Sequence, residues 1–255
     1  MIRANRAAPS ALERPSERGP GRSPDGPSVL ARLFEGWPVV TEEIALSEDI
    51  PAPHPLEAEQ VGQALPGRRR EFAAGRHCAR RALARLGVGD FALLNGPDRA
   101  PRWPPGIVGA ITHTGQGAGG FCGVVLGQQA EVTAVGLDAE RGTLAPDLWR
   151  AVLTASERRG LEALAKEDRG RAALLAFSAK ECFYKAQFPL TRRFLELGEV
   201  EVAVEVASGT FEVTVRSNPA VAWPLRRCRG RFLVVNDLVV TGIAVPRLGA
   251  GARAC

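Results

Sequence analysis

The sequence predicts an α+β protein built as two halves, each carrying a helix and antiparallel strands. Three observations predict it. The segment Gly67 to Leu86 is apolar at helical spacing, begins after Pro66 and stops at Gly87. A second such segment, Arg169 to Gln187, closes before Pro189. Around both lie short β-rich runs bounded by turn residues.

In chain order, Val29 to Phe34 and Trp37 to Thr41 read as strands, and Pro51 to Pro55 as a loop. In the Gly67–Leu86 helix, Phe72, Ala79, Leu83 and Leu86 form the buried stripe. Arg68 and Arg76 lie at the border of that stripe, about 40° to either side, while Arg70, Arg81 and Arg85 point away. A solvated face with snorkelling stems accounts for the outward arginines better than for the two at the border. Asn95 to Gly106 is a Pro-rich connector, and Ile107 to Thr112 a short strand that delivers His113 at its end. Gly119 to Leu126 and Glu131 to Leu137 follow as strands. Thr154-Ala155-Ser156-Glu157 is a capping box opening a helix that runs to Lys166. After the Arg169–Gln187 helix come strands at Glu199 to Ala207, Thr210 to Arg216, Arg231 to Asn236 and Leu238 to Val245, the last two joined by a tight turn at Asn236-Asp237. The halves are then 29–130 and 131–247, with no sequence repeat between them. Residues 1–28, rich in Pro, Arg, Ser and Gly, cannot form a core and are expected to be disordered; 248–255 form a loose tail.

Hydrophobic residues are 45% of the chain, enough for a sizeable core, and the formal charge is +5, carried mainly by Arg. A basic balance suits an anionic partner: a phosphorylated small molecule, an acidic protein or a nucleic acid. The five cysteines, Cys78, Cys122, Cys182, Cys228 and Cys255, are widely spaced and without a CxxC pair. That pattern speaks for a reducing compartment and against a zinc site or a disulfide framework. His77 beside Cys78 is incidental, because adjacent helical residues point about 100° apart. With no apolar N-terminal segment and no long apolar run, the expectation is a cytoplasmic, soluble protein without a membrane span.

Two acidic stretches carry the chemistry. Leu174, Phe177, Glu181 and Tyr184 share one helix face, which places a carboxylate at an otherwise apolar position. Lys185, at i+4 from Glu181, offers a plain surface salt bridge as the alternative. Asp138 and Glu140, at i and i+2, project from one face at the end of the Glu131–Leu137 strand. Alone they read as the start of a solvated loop. Three carboxylates, two from a strand end and one from a helix, suit a hard cation with oxygen ligands, most simply Mg²⁺. Mg²⁺ accepts substrate phosphate oxygens, so such a set leaves room for a phosphorylated ligand.

Taken together, Gly136-Leu137-Asp138-Ala139-Glu140 and Phe177-Ser178-Ala179-Lys180-Glu181-Cys182-Phe183-Tyr184-Lys185 resemble the signature of the phosphopantetheinyl transferases. Gly75-Arg76-His77-Cys78-Ala79-Arg80 and Pro101-Arg102-Trp103-Pro104-Pro105-Gly106-Ile107-Val108-Gly109-Ala110-Ile111-Thr112-His113 resemble the enterobactin-type branch of the larger, monomeric class. The resemblance implies two similar α/β halves related by pseudo-two-fold symmetry. It implies transfer of the 4'-phosphopantetheine arm of coenzyme A to a serine of an apo acyl or peptidyl carrier protein, releasing 3',5'-adenosine bisphosphate, in secondary metabolism. By position, Asp138, Glu140 and Glu181 would hold Mg²⁺; Lys185 would contact the phosphates; Arg68, Arg76, Thr112 and His113 would bind coenzyme A. Glu181, directly or through a water, would be the general base. Asn95 stands where the family often has a basic residue, with Arg99 four residues on; Ala110 and Cys182 replace small residues of the pattern.

Two other classes stay open at this level. A basic nucleic-acid-binding protein is disfavoured by the lack of interleaved aromatics along the arginine helix. A different Mg²⁺-dependent phosphoryl-transfer enzyme would use the same carboxylates without needing the border arginines or His113.

Overall fold

The computed structural model describes residues 28–46, 49–115, 119–216 and 225–247. The expected N-terminal disordered segment (but for Ser28) and the C-terminal tail lie outside the described residues. The order is α1 (Val29–Leu33), β1 (Val39–Ala45), α2 (Pro55–Glu59), α3 (Pro66–Arg85), β2 (Ile107–Thr114), β3 (Phe121–Gln128), β4 (Val132–Arg141), α4 (Trp149–Val152), α5 (Ala155–Glu162), α6 (Lys166–Thr191), then β5 (Val200–Glu205), β6 (Thr210–Val215), β7 (Arg227–Val235) and β8 (Leu238–Pro246). Among the described residues no helix is long and apolar enough to cross a membrane.

The strands form two sheets, β1-β3-β2 and β4-β8-β7-β6-β5, antiparallel throughout. Helix α3 lies on the first sheet and α6 on the second, and β2 and β3 pack against β4. The α+β class is as expected. Three strands face five, so strand order does not establish the pseudo-two-fold relation. A core of Ala110, Phe121 and Val125 with Val135, Leu137, Val240 and Ala244 joins the halves. Each of the larger side chains, Val, Leu or Phe, contributes about 1.5–3 kcal/mol on leaving water, before the entropy of ordering it.

Local forces explain the departures from the sequence reading. Residues 29–33 form a helix rather than a strand. Ser28 Oγ caps it at Ala31 N, and the Glu43 carboxylate accepts from Val29 N and Leu30 N at 3.0 and 2.8 Å. Leu30, Leu33 and Phe34 then bury one helical face. The first strand begins at Val39 and runs on to Ala45 because β3 pairs with it along that whole length. The capping box at Thr154 is present, but α5 stops at Glu162 and the chain restarts as α6 at Lys166. Pro189 falls inside α6, one turn from an end closed by Arg192 in the left-handed region (φ 55°). Strand β4 continues past Leu137 to Arg141 because β8 pairs with it up to Arg141 and Leu238. Asp138 and Glu140 are therefore strand residues. The turn at Asn236-Asp237 forms as read, with Asn236 at φ 56°.

One glycine decides how close β4 and α6 come. A Cβ on Gly136 would sit 2.2 Å from the Cys182 carbonyl oxygen. Only a residue without a side chain lets the backbone of α6 lie directly on β4, two residues before Asp138.

Candidate active site

Asp138 is buried on β4 and Lys185 comes down on it from α6: Lys185 Nζ donates to Asp138 Oδ1 at 2.7 Å. Ser178, two turns earlier on α6, donates from Oγ to Asp138 Oδ2 at 2.8 Å. Thr112 Oγ1 accepts from Ala139 N at 3.1 Å and lies 3.4 Å from Asp138 Oδ1. Desolvation would lower the Lys185 ammonium, but the charge and hydrogen bond of Asp138, with Cys182 and Glu181, together raise it above its ordinary value. The i,i+4 pair between Glu181 and Lys185 does not form; Asp138 takes its place.

Glu140 and Glu181 are the other two carboxylates of the acidic set. Burial, then Asp138 and Glu181, push the Glu140 carboxyl up to about 7, against the pull of Lys185. Burial and Asp138 raise Glu181 in the same direction. These are hard oxygen donors crowded against like charge, the chemistry that a divalent cation relieves. No group of three or more His, Cys, Asp or Glu side chains among the described residues is drawn together as a metal-holding cluster. The residues fit Mg²⁺ by donor type and electrostatics. In this arrangement Lys185, a cation, rests on Asp138.

Lys185 also lines a cleft of about 820 Å³ between the two halves. That volume falls within the roughly 300–1,000 Å³ typical of cofactor sites. Arg68, Arg76, His113, Arg99 and Arg102 line it from the first half, and Tyr184, Phe188 and Arg192 from α6. Trp103 lies flat against β2: its Nε1 donates to Gly109 O at 2.9 Å, and a Cβ on Gly109 would sit 2.6 Å from the ring. Arg76 is buried rather than at the border of its helix. Its Nε donates to Leu93 O at 2.7 Å and an Nη donates to Asn95 Oδ1 at 2.6 Å, with the guanidinium over the Phe72 ring. Burial lowers it to about 10, so it stays cationic at neutral pH. Asn95, the departure from the family pattern, thus acts as an acceptor for Arg76. Glu57, fully buried, holds the chain just before the connector by accepting from Leu93 N at 2.9 Å and from Arg80 at 2.6 Å.

At the cleft wall, Arg68 donates to His113 Nε2 at 2.8 Å, and Glu71 lies 3.5 Å from His113 Nδ1. An arginine can only donate, so His113 accepts at Nε2 and carries its proton on Nδ1, facing Glu71. Burial first, then Arg68 and Lys185, hold the imidazole below its ordinary range. Below the cleft, a groove of about 260 Å³ is lined by Glu181, Phe183, Tyr184, Phe194, Leu195 and Leu197. Tyr184 separates the two spaces, stacked on Phe188 at 5.3 Å and edge-on to Phe194 at 5.8 Å.

The structure therefore brings Arg68, Arg76, His113 and Lys185 to one cleft, with Asp138 joined to it through Lys185 and Glu181 in the adjoining groove. Thr112 does not line the cleft, because alternate residues of β2 face opposite sides; its Oγ1 faces Asp138, Ala139 N and, at 3.4 Å, Lys185 Nζ. The face Leu174–Phe177–Glu181–Tyr184 is not a core face: past Leu174 it is only half-buried and opens on the groove. The fully buried charge on α6 is Lys180. Its Nζ donates to Glu157 Oε2 at 2.8 Å, Val152 O at 2.9 Å and Leu197 O at 2.8 Å. Sequence reasoning missed Glu57, Glu71, Glu157 and Lys180 as site-building residues. The signal for Glu157 was its capping box, and for Lys180 its place in the helix motif.

Known proteins place this geometry. The pattern of the 4'-phosphopantetheinyl transferase N-terminal domain matches residues 56–125, and that of the 4'-phosphopantetheinyl transferase superfamily matches residues 134–237. The 4'-phosphopantetheinyl transferase Svp of Streptomyces mobaraensis is 38% identical over 228 residues, covering 85% of this chain and 89% of its own. PptT of Mycobacterium tuberculosis, another 4'-phosphopantetheinyl transferase, is 36% identical over 222 residues, 81% of this chain and 94% of its own. Enterobactin synthase component D of Salmonella typhi is 35% identical, but over 47% of this chain and 48% of its own, so that likeness is partial. Matched along nearly the whole length of such relatives, the chain belongs to the 4'-phosphopantetheinyl transferase superfamily and is a phosphopantetheinyl transferase.

Proposed function

We propose that this enzyme transfers the 4'-phosphopantetheine arm of coenzyme A to a serine of an apo acyl or peptidyl carrier protein, with release of 3',5'-adenosine bisphosphate, in the presence of Mg²⁺. The observation that carries the reading is the placement of Lys185: one ammonium lines the arginine-rich cleft and rests on Asp138. Arg68, Arg76 and His113 hold the phosphorylated nucleotide end in the cleft, with Arg99 and Arg102 adding positive charge. The apolar groove past Tyr184 takes the pantetheine arm, which leads it by Glu181.

The carrier serine Oγ forms the new bond to the β-phosphorus, and the bridging P–O bond of the pyrophosphate breaks. The electron pair leaves with 3',5'-adenosine bisphosphate. Glu181, whose carboxyl is raised by burial and Asp138, takes the serine proton, directly or across one water. Lys185 contacts the phosphates and exchanges part of its bond with Asp138 for them. Asp138, Glu140 and Glu181 would hold Mg²⁺, whose charge when bound offsets that developing on the pyrophosphate. Thr112 acts from behind, through Asp138, rather than on the nucleotide.

The test is to incubate the protein with an apo carrier protein, coenzyme A and Mg²⁺ and to weigh the carrier by mass spectrometry. A gain of one phosphopantetheine arm is expected, and its absence with fatty-acid, polyketide and peptide-synthetase carriers alike would refute the proposal. Asp138→Ala and Glu181→Ala should each abolish transfer with the fold retained.

A further inference from the structure

Two hydroxyls beneath Asp138 are engaged in a way that packing does not require. Ser178 on α6 and Thr241 on β8 are both fully buried. Thr241 stands directly opposite Asp138 in the pairing of β8 with β4. Ser178 Oγ lies 2.8 Å from Asp138 Oδ2 and 2.9 Å from Thr241 Oγ1, and Thr241 Oγ1 donates to Ser178 O at 3.1 Å. Proton counting gives the network a direction. An ionised carboxylate only accepts, so the single Ser178 proton goes to Asp138. The proton of Thr241 then points back to Ser178, shared between its hydroxyl and its carbonyl oxygen. The chain runs Thr241 to Ser178 to Asp138.

A helical serine with no tertiary partner turns back to the carbonyl of its own preceding turn. Ser178 instead reaches out of α6 to β4. Buried hydroxyls cost stability unless bonded, and alanine and valine would fill the same space without that cost. What the hydroxyls add is orientation. They claim Oδ2, so Oδ1 is the oxygen left for Lys185 at 2.7 Å, with Thr112 Oγ1 3.4 Å away on the same atom.

We propose that Ser178 and Thr241 are positioning residues for the transfer reaction: a buried, directional hydroxyl chain that fixes the rotation of the Asp138 carboxylate and so determines which oxygen it presents to Lys185 and the ligand. The inference rests on the reading of Asp138 as a site residue, and the experiment separates the two. Outer groups that orient a ligating carboxylate are worth about 10–100-fold in metal affinity or activity. Ser178→Ala should therefore weaken Mn²⁺ binding, followed by its paramagnetic resonance signal in the presence of coenzyme A, by about 10–100-fold, with kcat falling in proportion. The KM for the carrier should hold. Thr241→Val, which keeps shape and removes the hydroxyl, should lose function in the same direction, and Thr241→Ser should recover most of that loss. If Thr241→Ser is as damaged as Thr241→Val, packing rather than the hydroxyl matters and the inference fails. It fails equally if Asp138→Ala is inactive while Ser178→Ala binds Mn²⁺ as the parent does. An active Asp138→Ala would instead overturn the site reading itself. Should Ser178→Ala not fold, the Thr241 pair decides alone.

Discussion

The fully buried Lys180 invites a double-mutant test. Its ammonium has three N–H groups and meets three acceptors: Glu157 Oε2, Val152 O and Leu197 O. Glu157, also buried, accepts in addition from Thr154 N and Val202 N, both at 2.7 Å. The pair thus ties α6 to the start of α5 and to β5, one residue before Glu181. Burial lowers the Lys180 ammonium and Glu157 opposes that shift, as expected where a charge is kept inside only by its partner. Glu157→Ala would leave an unpaired buried cation and two orphaned N–H groups. Lys180→Met would leave a carboxylate still held by those two N–H groups. Breaking one side of a buried pair costs about 3–5 kcal/mol, a large part of the roughly 5–15 kcal/mol that holds a domain folded. Glu157→Ala should reach the top of that range and Lys180→Met the bottom. Lys180→Met with Glu157→Ala together should cost less than the sum of the singles, by about 1–3 kcal/mol of coupling. Urea denaturation of the four proteins measures it, and the KM for coenzyme A of the folded fraction should change far less than kcat does in Glu181→Ala. If either single variant costs under about 1 kcal/mol, or the effects simply add, the clip is not what holds α6.

Glu140 makes a pH prediction. Its carboxyl is raised to about 7, so its contribution to stability is present below its ordinary value of 4.5 and is lost as the pH rises through about 7. Without Mg²⁺ the melting temperature should fall across that window more than in Glu140→Gln, and Mg²⁺ should restore it at the upper end; parallel profiles for the two proteins would refute this. Gly136→Ala places a Cβ 2.2 Å from Cys182 O. Overpacking of this kind costs about 1–3 kcal/mol or more, and the displaced α6 should lose transfer activity; parental activity and melting temperature would count against the close approach. Asp98 and Arg192 pair at 2.7 Å across the cleft mouth, one from the connector and one from the end of α6. Both are exposed, so at about 0.2–1 kcal/mol Asp98→Ala should raise the KM for coenzyme A by about 1.4- to five-fold. Asp98→Arg with Arg192→Asp should recover it, and no recovery would mean that the pair does not close the cleft.

What the sequence made legible follows physical lines. Both long helices are readable because their apolar spacing is intrinsic to the segment. The Val29–Leu33 helix is not, since the Glu43 carboxylate that holds its N-terminus arrives from another strand. Asp138 is legible as a site residue by motif, yet its partner is not: the i,i+4 rule offers Glu181 to Lys185, while tertiary packing delivers Asp138. Glu157 announces itself locally only as a capping-box residue, and Glu57 and Glu71 are acidic residues within polar stretches. Nothing local distinguishes Glu57 and Glu71 from solvated charges, or ties Glu157 to Lys180, until the fold shows what each accepts. The role of Asn95 is hidden for the same reason, because it depends on where the buried Arg76 guanidinium ends.

The α6 motif resolves into faces once angles are counted. Taking Ser178 as zero and about 100° per residue, Cys182 lies about 40° to one side, and Lys185 and Glu181 about 20° and 60° to the other. Lys180 falls about 160° away, on the opposite side. The first group meets β4: Ser178 and Lys185 take the two oxygens of Asp138, and the Cys182 backbone lies on Gly136. Glu181, at the edge of that group, opens on the groove. Lys180 anchors the far side to Glu157. A Ser-x-Lys-Glu-x-x-x-Lys spacing on a helix is therefore two clamps with a carboxylate between them. The small residue at position 136 is what lets the first clamp close, because a helix held even one methyl further from β4 would lift Ser178 and Lys185 off Asp138 together.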